Sequence, residues 1–174
     1  MNDLPRPILE SYWVEPKRLL AGEYPGHYRE EQTRQRLDIF LQAGFGTFIN
    51  LTAKGELPPY WPILKEQARA YERSVSCLHF PIGDFGLPTR EAMLDILNAI
   101  DSALAVNHKV YLHCQAGVGR TGTTVGCYLV RHGFSGERAL QQLGEWWQTV
   151  PKSKMYPRSP ENKSQEQFIL NWKE

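Results

Sequence analysis

The sequence predicts an α/β fold: a central, mostly parallel twisted sheet flanked by helices on both faces. Three observations predict it. Short β-prone apolar runs, Thr47–Leu51, Ser76–Phe80 and Val110–Leu112, alternate with longer segments whose apolar residues recur at helical spacing. That alternation packs helices against a sheet of strands running the same way. The chain of 174 residues is long enough for one domain with a full core. The third observation is Val110-Tyr-Leu-His-Cys-Gln-Ala-Gly-Val-Gly-Arg-Thr-Gly122. There a buried strand runs through a glycine-bearing loop straight into a helix start, an arrangement that holds anions.

In chain order, residues 1–16 carry Pro5, Pro7 and Pro16 around Ile8 to Val14 and are expected to form an extended, irregular lead-in. Arg18–Gly22 reads as a short strand, stopped by Gly22 and Pro25. Tyr28–Ala43 sets Leu37, Ile39, Phe40 and Leu41 in a polar remainder, an amphipathic helix ended by Gly44 and Gly46. Thr47–Leu51 is a central strand. The loop after it, Thr52–Pro59, leaves the strand's carboxyl end, the edge at which open α/β sheets bind ligands. Lys54 or Glu56 could line a site there. A solvated turn is the plainer reading of both, and the one adopted.

Tyr60–Arg73 is a second helix, and Ser76–Phe80 a strand leading into the loop Pro81–Pro88. Thr89 caps the next helix, which reaches Val106 with Glu91 in its first turn. Its stripe of Met93, Leu94, Ile96, Leu97, Ile100 and Leu104 is core. The helix after the glycine loop runs to about His132 and stops at Gly133; Cys127 within it packs. Ser135 caps a helix to about Gln148, in which Trp146 and Trp147 supply core plus one partly exposed ring. Val150–Pro160 is a loop with local positive charge, and Asn162–Trp172 the last helix.

Composition sets bounds. A net charge of +1 and a pI near 7.7 give no reason to expect nucleic-acid or bulk membrane binding. The apolar runs are too short to span a bilayer, and Met1 to Pro7 lacks the apolar region of a signal peptide. Cys77, Cys114 and Cys127 make neither a disulfide framework nor a zinc pattern. The expectation is a reduced, cytoplasmic setting, no metal, no cofactor and a monomer.

The chemistry sits in the glycine loop. Glycines let successive amide N–H groups point inward, and the helix N-terminus adds partial positive charge. Cys114 stands at the mouth of this cradle, where such a field favours the thiolate. Arg120 closes the loop, and its planar fork can hold two oxygens of a tetrahedral oxyanion. Thiolate, cradle and Arg together equip the site for attack on phosphorus. Gln115, Ala116, Gly117, Val118, Gly119 and Arg120 are the expected phosphate binders. Thr121 can donate its hydroxyl to the Cys114 sulfur, and His113 orients the loop rather than taking a proton. The leaving oxygen needs a proton from the opposite side, and Asp84 is the candidate acid.

Cys-x5-Arg alone is a weak signal, but His-Cys-x-x-Gly-x-x-Arg-Thr-Gly between a strand and a helix is strong. His113–Gly122 resembles the phosphate-binding loop of the cysteine-dependent protein-tyrosine phosphatase superfamily, and the short chain suggests its dual-specificity-like branch. Leu20-Ala-Gly-Glu-Tyr-Pro25 is similar to the opening strand and turn of such enzymes. Pro81-Ile-Gly-Asp-Phe-Gly-Leu-Pro88 resembles their general-acid loop in its small-member form; the tryptophan-proline-aspartate form is absent. Ser159-Pro160 through Gln165 matches a segment whose glutamines position the hydrolytic water in larger tyrosine phosphatases. Gln165 matches the second of these, and Glu161 replaces the first, which leaves that role open.

The resemblance implies a phosphoprotein phosphatase acting on phosphotyrosine, and on phosphoserine and phosphothreonine, through a phosphocysteine. The alternatives are a phosphoinositide phosphatase and an inactive phosphopeptide-binding module. The first tends to carry Lys or Arg inside the loop, where Gln115, Ala116 and Val118 are neutral; the second usually loses the Cys, Arg or Asp. The strand of Cys77 is expected beside that of Cys114, which would permit a reversible disulfide; strand alternation favours a plain core position instead.

Overall fold

The computed structural model describes residues 4–174. In chain order the elements are β1 Ser11–Glu15, β2 Leu19–Gly22, α1 Glu30–Gln42, β3 Phe45–Asn50, α2 Trp61–Ala70, β4 Ser76–His79, α3 Arg90–Ala105, β5 Lys109–His113, α4 Gly119–Arg131, α5 Gly136–Trp147, a 3-10 turn Pro151–Lys154, and α6 Lys163–Leu170. The five strands form one sheet in the order β1-β2-β5-β3-β4. β1 runs antiparallel to β2, and the other neighbours are parallel. This is the expected α/β fold.

The irregular lead-in expected over residues 1–16 is corrected. Its residues 1–3 lie outside the described residues, and Ser11–Glu15 is the edge strand β1. Pro7 and Pro16 flank this strand and do not interrupt it. An edge strand tolerates prolines at its ends because one side needs no ladder partners. Side chains along β1 alternate between the two faces of the sheet: Tyr12 and Val14 join one apolar cluster, Trp13 the other.

The same alternation splits the core across the sheet. Val110 and Leu112 of β5, with Ile49 of β3, pack under α3, α4, α5 and α6. Tyr111 of β5, with Phe45 and Phe48 of β3, packs under α1 and α2 beside Phe40 and Leu64. The caps read from the sequence are present. Thr89 accepts from the Ala92 amide and Ser135 from the Arg138 amide, at 3.1 and 3.2 Å. Of the two glycines expected to end α1, Gly44 does so at φ +88°, while Gly46 lies inside β3. Ile39, expected on the buried stripe, is 47% exposed because α1 turns that residue outward.

Parallel pairing has one consequence for function. The segments leaving the carboxyl ends of β2, β3, β4 and β5 all emerge at one edge of the sheet. Glu23, Glu56, Asp84 and Cys114 are each in or at the start of one of these four segments.

Candidate active site

Cys114 follows β5 directly and is 2% exposed. The loop behind it curls at Gly117, with φ +77°. A Cβ there would lie 2.6 Å from the Gly22 carbonyl carbon, so no side chain fits. Among the described residues, none of the backbone N–H groups of Gln115 through Thr121 donates to a protein acceptor, and the first such bond in the segment is Gly122 N–H to Val118 O. Amides left unpaired at a helix start are donors waiting for an anion.

Arg120, 2% exposed, is fully engaged at its fork. Its Nη1 donates to Glu56 Oε2 at 2.7 Å and to Ile82 O at 3.0 Å. Its Nη2 donates to Glu56 Oε1 at 2.7 Å and to Asp84 Oδ1 at 3.1 Å. The solvated-turn reading of Glu56 is therefore corrected: the loop after β3 folds over the edge and brings this carboxylate onto the guanidinium. Hydrogen bonds from Arg120 hold the Glu56 carboxyl below the usual carboxylate range. Asp84 lies 51% exposed at the rim, and its neighbour Phe85 has φ +57°, turning that ring outward. Cys114, Arg120, Asp84, Gln115, Ala116 and Gly119 line one cavity of about 360 Å³. Val118 turns its side chain into the core and offers only backbone.

His113 is fully buried. Its Nδ1 lies 3.2 Å from Cys114 O, and its Nε2 2.8 Å from the Tyr60 hydroxyl. A carbonyl only accepts, so Nδ1 carries the proton and Nε2 accepts from Tyr60. Tyr60 has then spent its proton, and the Cys77 thiol, 3.4 Å away, donates to its oxygen. Burial pushes the His113 pKa down to about 3, so the ring stays neutral. The unfolded chain binds that proton near pH 6.5. Stability from His113 is therefore complete above about pH 6.5 and is lost as the pH falls toward 3. Urea unfolding of the wild type at pH 7 and pH 4.5 should show a loss from this group of about 2–3 kcal/mol, which His113→Asn removes.

Two further expectations meet the structure differently. The Thr121 hydroxyl, expected on the Cys114 sulfur, instead donates to Gly22 O at 3.5 Å. Gln165 is fully buried, behind the cavity-lining residues Gly119 and Glu161. Its Oε1 accepts from the Glu161 amide at 3.1 Å, and its Nε2 donates to Gly86 O at 3.3 Å. With Asn162 Nδ2 on Phe85 O at 3.1 Å, it ties the start of α6 to the Asp84 loop. This is a bracing role that uses one N–H and one oxygen lone pair of the amide, and the water-positioning role expected for Gln165 is neither met nor opposed by these bonds. The disulfide between Cys77 and Cys114 is excluded by topology. β3 stands between β4 and β5, so the two thiols are roughly two strand spacings, about 10 Å, apart sideways alone.

Glu23, Lys152 and Tyr156 were not anticipated on the wall, whereas Glu161 lies in the segment whose resemblance had pointed to the site. Lys152 Nζ donates to Glu23 Oε2 at 2.6 Å and to Ala116 O at 3.3 Å. Glu23 had a signal, as the first residue beyond a parallel strand. Lys152 and Tyr156 come from the stretch after α5, which nothing local assigns to this edge. Among the described residues no group of three or more His, Cys, Asp or Glu could hold a metal ion, and no helix is long and apolar enough to cross a membrane.

Comparison with known proteins agrees with this geometry. The family model described as "Swiss Army Knife protein, DSP-PTPase phosphatase domain" matches residues 10–169. A mouse protein named protein tyrosine phosphatase domain-containing protein 1 is 34% identical over 127 residues, 69% of this chain and 17% of its own length. The chain thus spans under a fifth of that relative. The crystal structure of Tk-PTP in the active form superposes with a TM-score of 0.67 at 25% identity, over 92% of this chain and 93% of the other. That of PTPMT1 in complex with PI(5)P gives 0.68 at 19% identity, over 92% of each chain, and shares the fold. With the fold, the anion loop and the matched family in agreement, the chain belongs to the DSP-PTPase phosphatase domains of the cysteine-dependent protein-tyrosine phosphatase superfamily.

Proposed function

We propose that this chain is an active protein phosphatase that hydrolyses phosphotyrosine, and also phosphoserine and phosphothreonine, through a phosphocysteine. We read residues 1–174 as a single domain acting as a cytoplasmic monomer. The observation that carries the reading is the run of unpaired amides from Gln115 to Thr121 around Cys114, with Arg120 and Asp84 on the same cavity.

The Cys114 thiolate attacks phosphorus in line, forming the S–P bond as the bond to the leaving oxygen breaks. The loop amides and Arg120 hold the equatorial oxygens as charge spreads. Asp84 gives its proton to the leaving oxygen. The resulting carboxylate then takes a proton from water, whose oxygen attacks phosphorus and releases the thiolate and phosphate. Two exposed rings on the cavity, Phe85 and Tyr156, support an aryl ester as the preferred substrate.

Turnover of p-nitrophenyl phosphate and of a phosphotyrosine peptide is the first test; absence of both sinks the reading in favour of a binding module. Asp84→Ala should lower kcat by about 10²–10⁴ for phosphotyrosine, a poor leaving group, and far less for p-nitrophenyl phosphate, which leaves without a proton. Equal losses on both substrates would remove Asp84 from the acid role. One observation favours the second reading, an inositol phospholipid phosphatase: Lys152 brings to the wall a cation that the loop lacks. A panel of inositol phospholipids beside phosphopeptides separates the two.

A further inference from the structure

Five charged side chains line the Cys114 cavity: Glu23, Asp84 and Glu161 against Arg120 and Lys152. Both cations are already partnered, Arg120 by Glu56 and Asp84, and Lys152 by Glu23. The Glu23 carboxylate also takes Arg36 Nη1 at 3.2 Å. Glu161 differs. Among the described residues, no Lys, Arg or His nitrogen lies within 4.0 Å of its carboxylate. Burial first, and the Asp84 charge second, push its carboxyl above the usual range; Gln165 and Arg120 offset this in part.

Glu161 reaches this place because Gly119 has no side chain. A Cβ at Gly119 would stand 1.8 Å from Glu161 Oε1, so the carboxylate rests on bare backbone at the first residue of α4. Gly119 has no positive φ to explain it. The close approach does. The Glu161 amide is pinned by Gln165 Oε1, which fixes the segment that delivers the carboxylate.

We propose that Glu161 is a specificity-determining residue: its uncompensated carboxylate selects phosphopeptides with a Lys or Arg beside the phosphorylated residue and disfavours a second phosphate. The inference rests on the phosphatase reading and names the substrate class of that same site. A bound phosphate engages Arg120 and the amides, leaving on the wall the Glu23–Lys152 pair, the general acid Asp84 and the unpaired Glu161. A cationic flank gives Glu161 the partner the fold withholds, whereas a second anion meets it at close range in a partly desolvated cleft.

The test is kcat/KM for matched phosphotyrosine peptides with Lys, Gln or Glu next to the phosphotyrosine, and for one doubly phosphorylated peptide, at two salt concentrations. The wild type should prefer the Lys peptide to the Glu peptide by about five-fold at low salt, less at high salt. Glu161→Gln should bring that ratio to about one, and Glu161→Asp should retain part of it. Glu66→Gln, which removes an exposed carboxylate of α2 paired with Arg34, should keep the wild-type ratio. Turnover of p-nitrophenyl phosphate, run on every variant, reports the chemistry apart from the flank. If that turnover persists while the Lys preference is absent, or survives in Glu161→Gln, this inference is overturned and the phosphatase reading stands. If the wild type turns over no phosphomonoester, the reading beneath it falls.

Discussion

Cys114→Ser is expected to lower kcat by about 10⁴ or more on every substrate while leaving phosphate binding in place. A serine hydroxyl is not ionised at neutral pH, so it needs a base to take its proton. The adjacent imidazole cannot supply one. Both nitrogens of the adjacent His113 are committed, one to Cys114 O and one to the Tyr60 hydroxyl. The groups that hold phosphate are untouched: the amides of Gln115 to Thr121 and the Arg120 guanidinium remain. Steady-state turnover of p-nitrophenyl phosphate, with calorimetric binding of a phosphotyrosine peptide, measures both halves. Turnover within ten-fold of the wild type would make the phosphocysteine route untenable. Loss of turnover together with loss of binding would point to a collapsed loop instead.

The second large effect belongs to Glu56. Its carboxylate makes two 2.7 Å bonds to a guanidinium that is 2% exposed, and it is itself only 15% exposed. Removing one member of a buried pair leaves the other charge uncompensated, which costs about 3–5 kcal/mol. Glu56→Ala should approach that loss, measured by urea unfolding at pH 7. Glu56→Gln keeps one acceptor and should lose less. Either variant also frees Arg120 to swing toward Asp84. That misplaces the fork and should cut kcat/KM by about ten- to a hundred-fold.

The sign with pH follows from the direction of the shift. The folded Glu56 carboxyl titrates below its unfolded counterpart, so its stabilisation is present above the ordinary carboxylate range. It is lost as the pH falls through the folded value. Acid should therefore destabilise the wild type more steeply than Glu56→Ala. The His113 contribution begins at higher pH, near 6.5, so the two can be told apart.

Much of this site was legible in the chain. The strand, glycine loop and helix around Cys114 lie within a few residues of one another, so local chemistry announces them. The caps at Thr89 and Ser135 were readable because a hydroxyl and an amide three residues on meet wherever a helix starts. The edge strand was not readable. Prolines on either side of Tyr12–Val14 gave the signal of irregular chain, and only pairing with β2 makes those residues a strand. The strand of Cys77 was expected beside that of Cys114 and lies one strand further out, while the core position favoured for Cys77 agrees with its packing. Which strand lies between which others is a long-range outcome that no local pattern encodes.

Sequence by itself determined the proposed nucleophile, the glycine loop around it, the arginine that closes it and an α/β sheet, because these depend on neighbours in the chain and on periodicity. Tertiary structure alone decided that Glu56 grips Arg120, that Gln165 braces the Asp84 loop, and that Lys152 reaches the cavity wall. The partners they bond lie 36 to 129 residues away in the chain. They meet because parallel strands deliver every following loop to one edge, where charge pairing and the space left by a missing Cβ select which side chains touch.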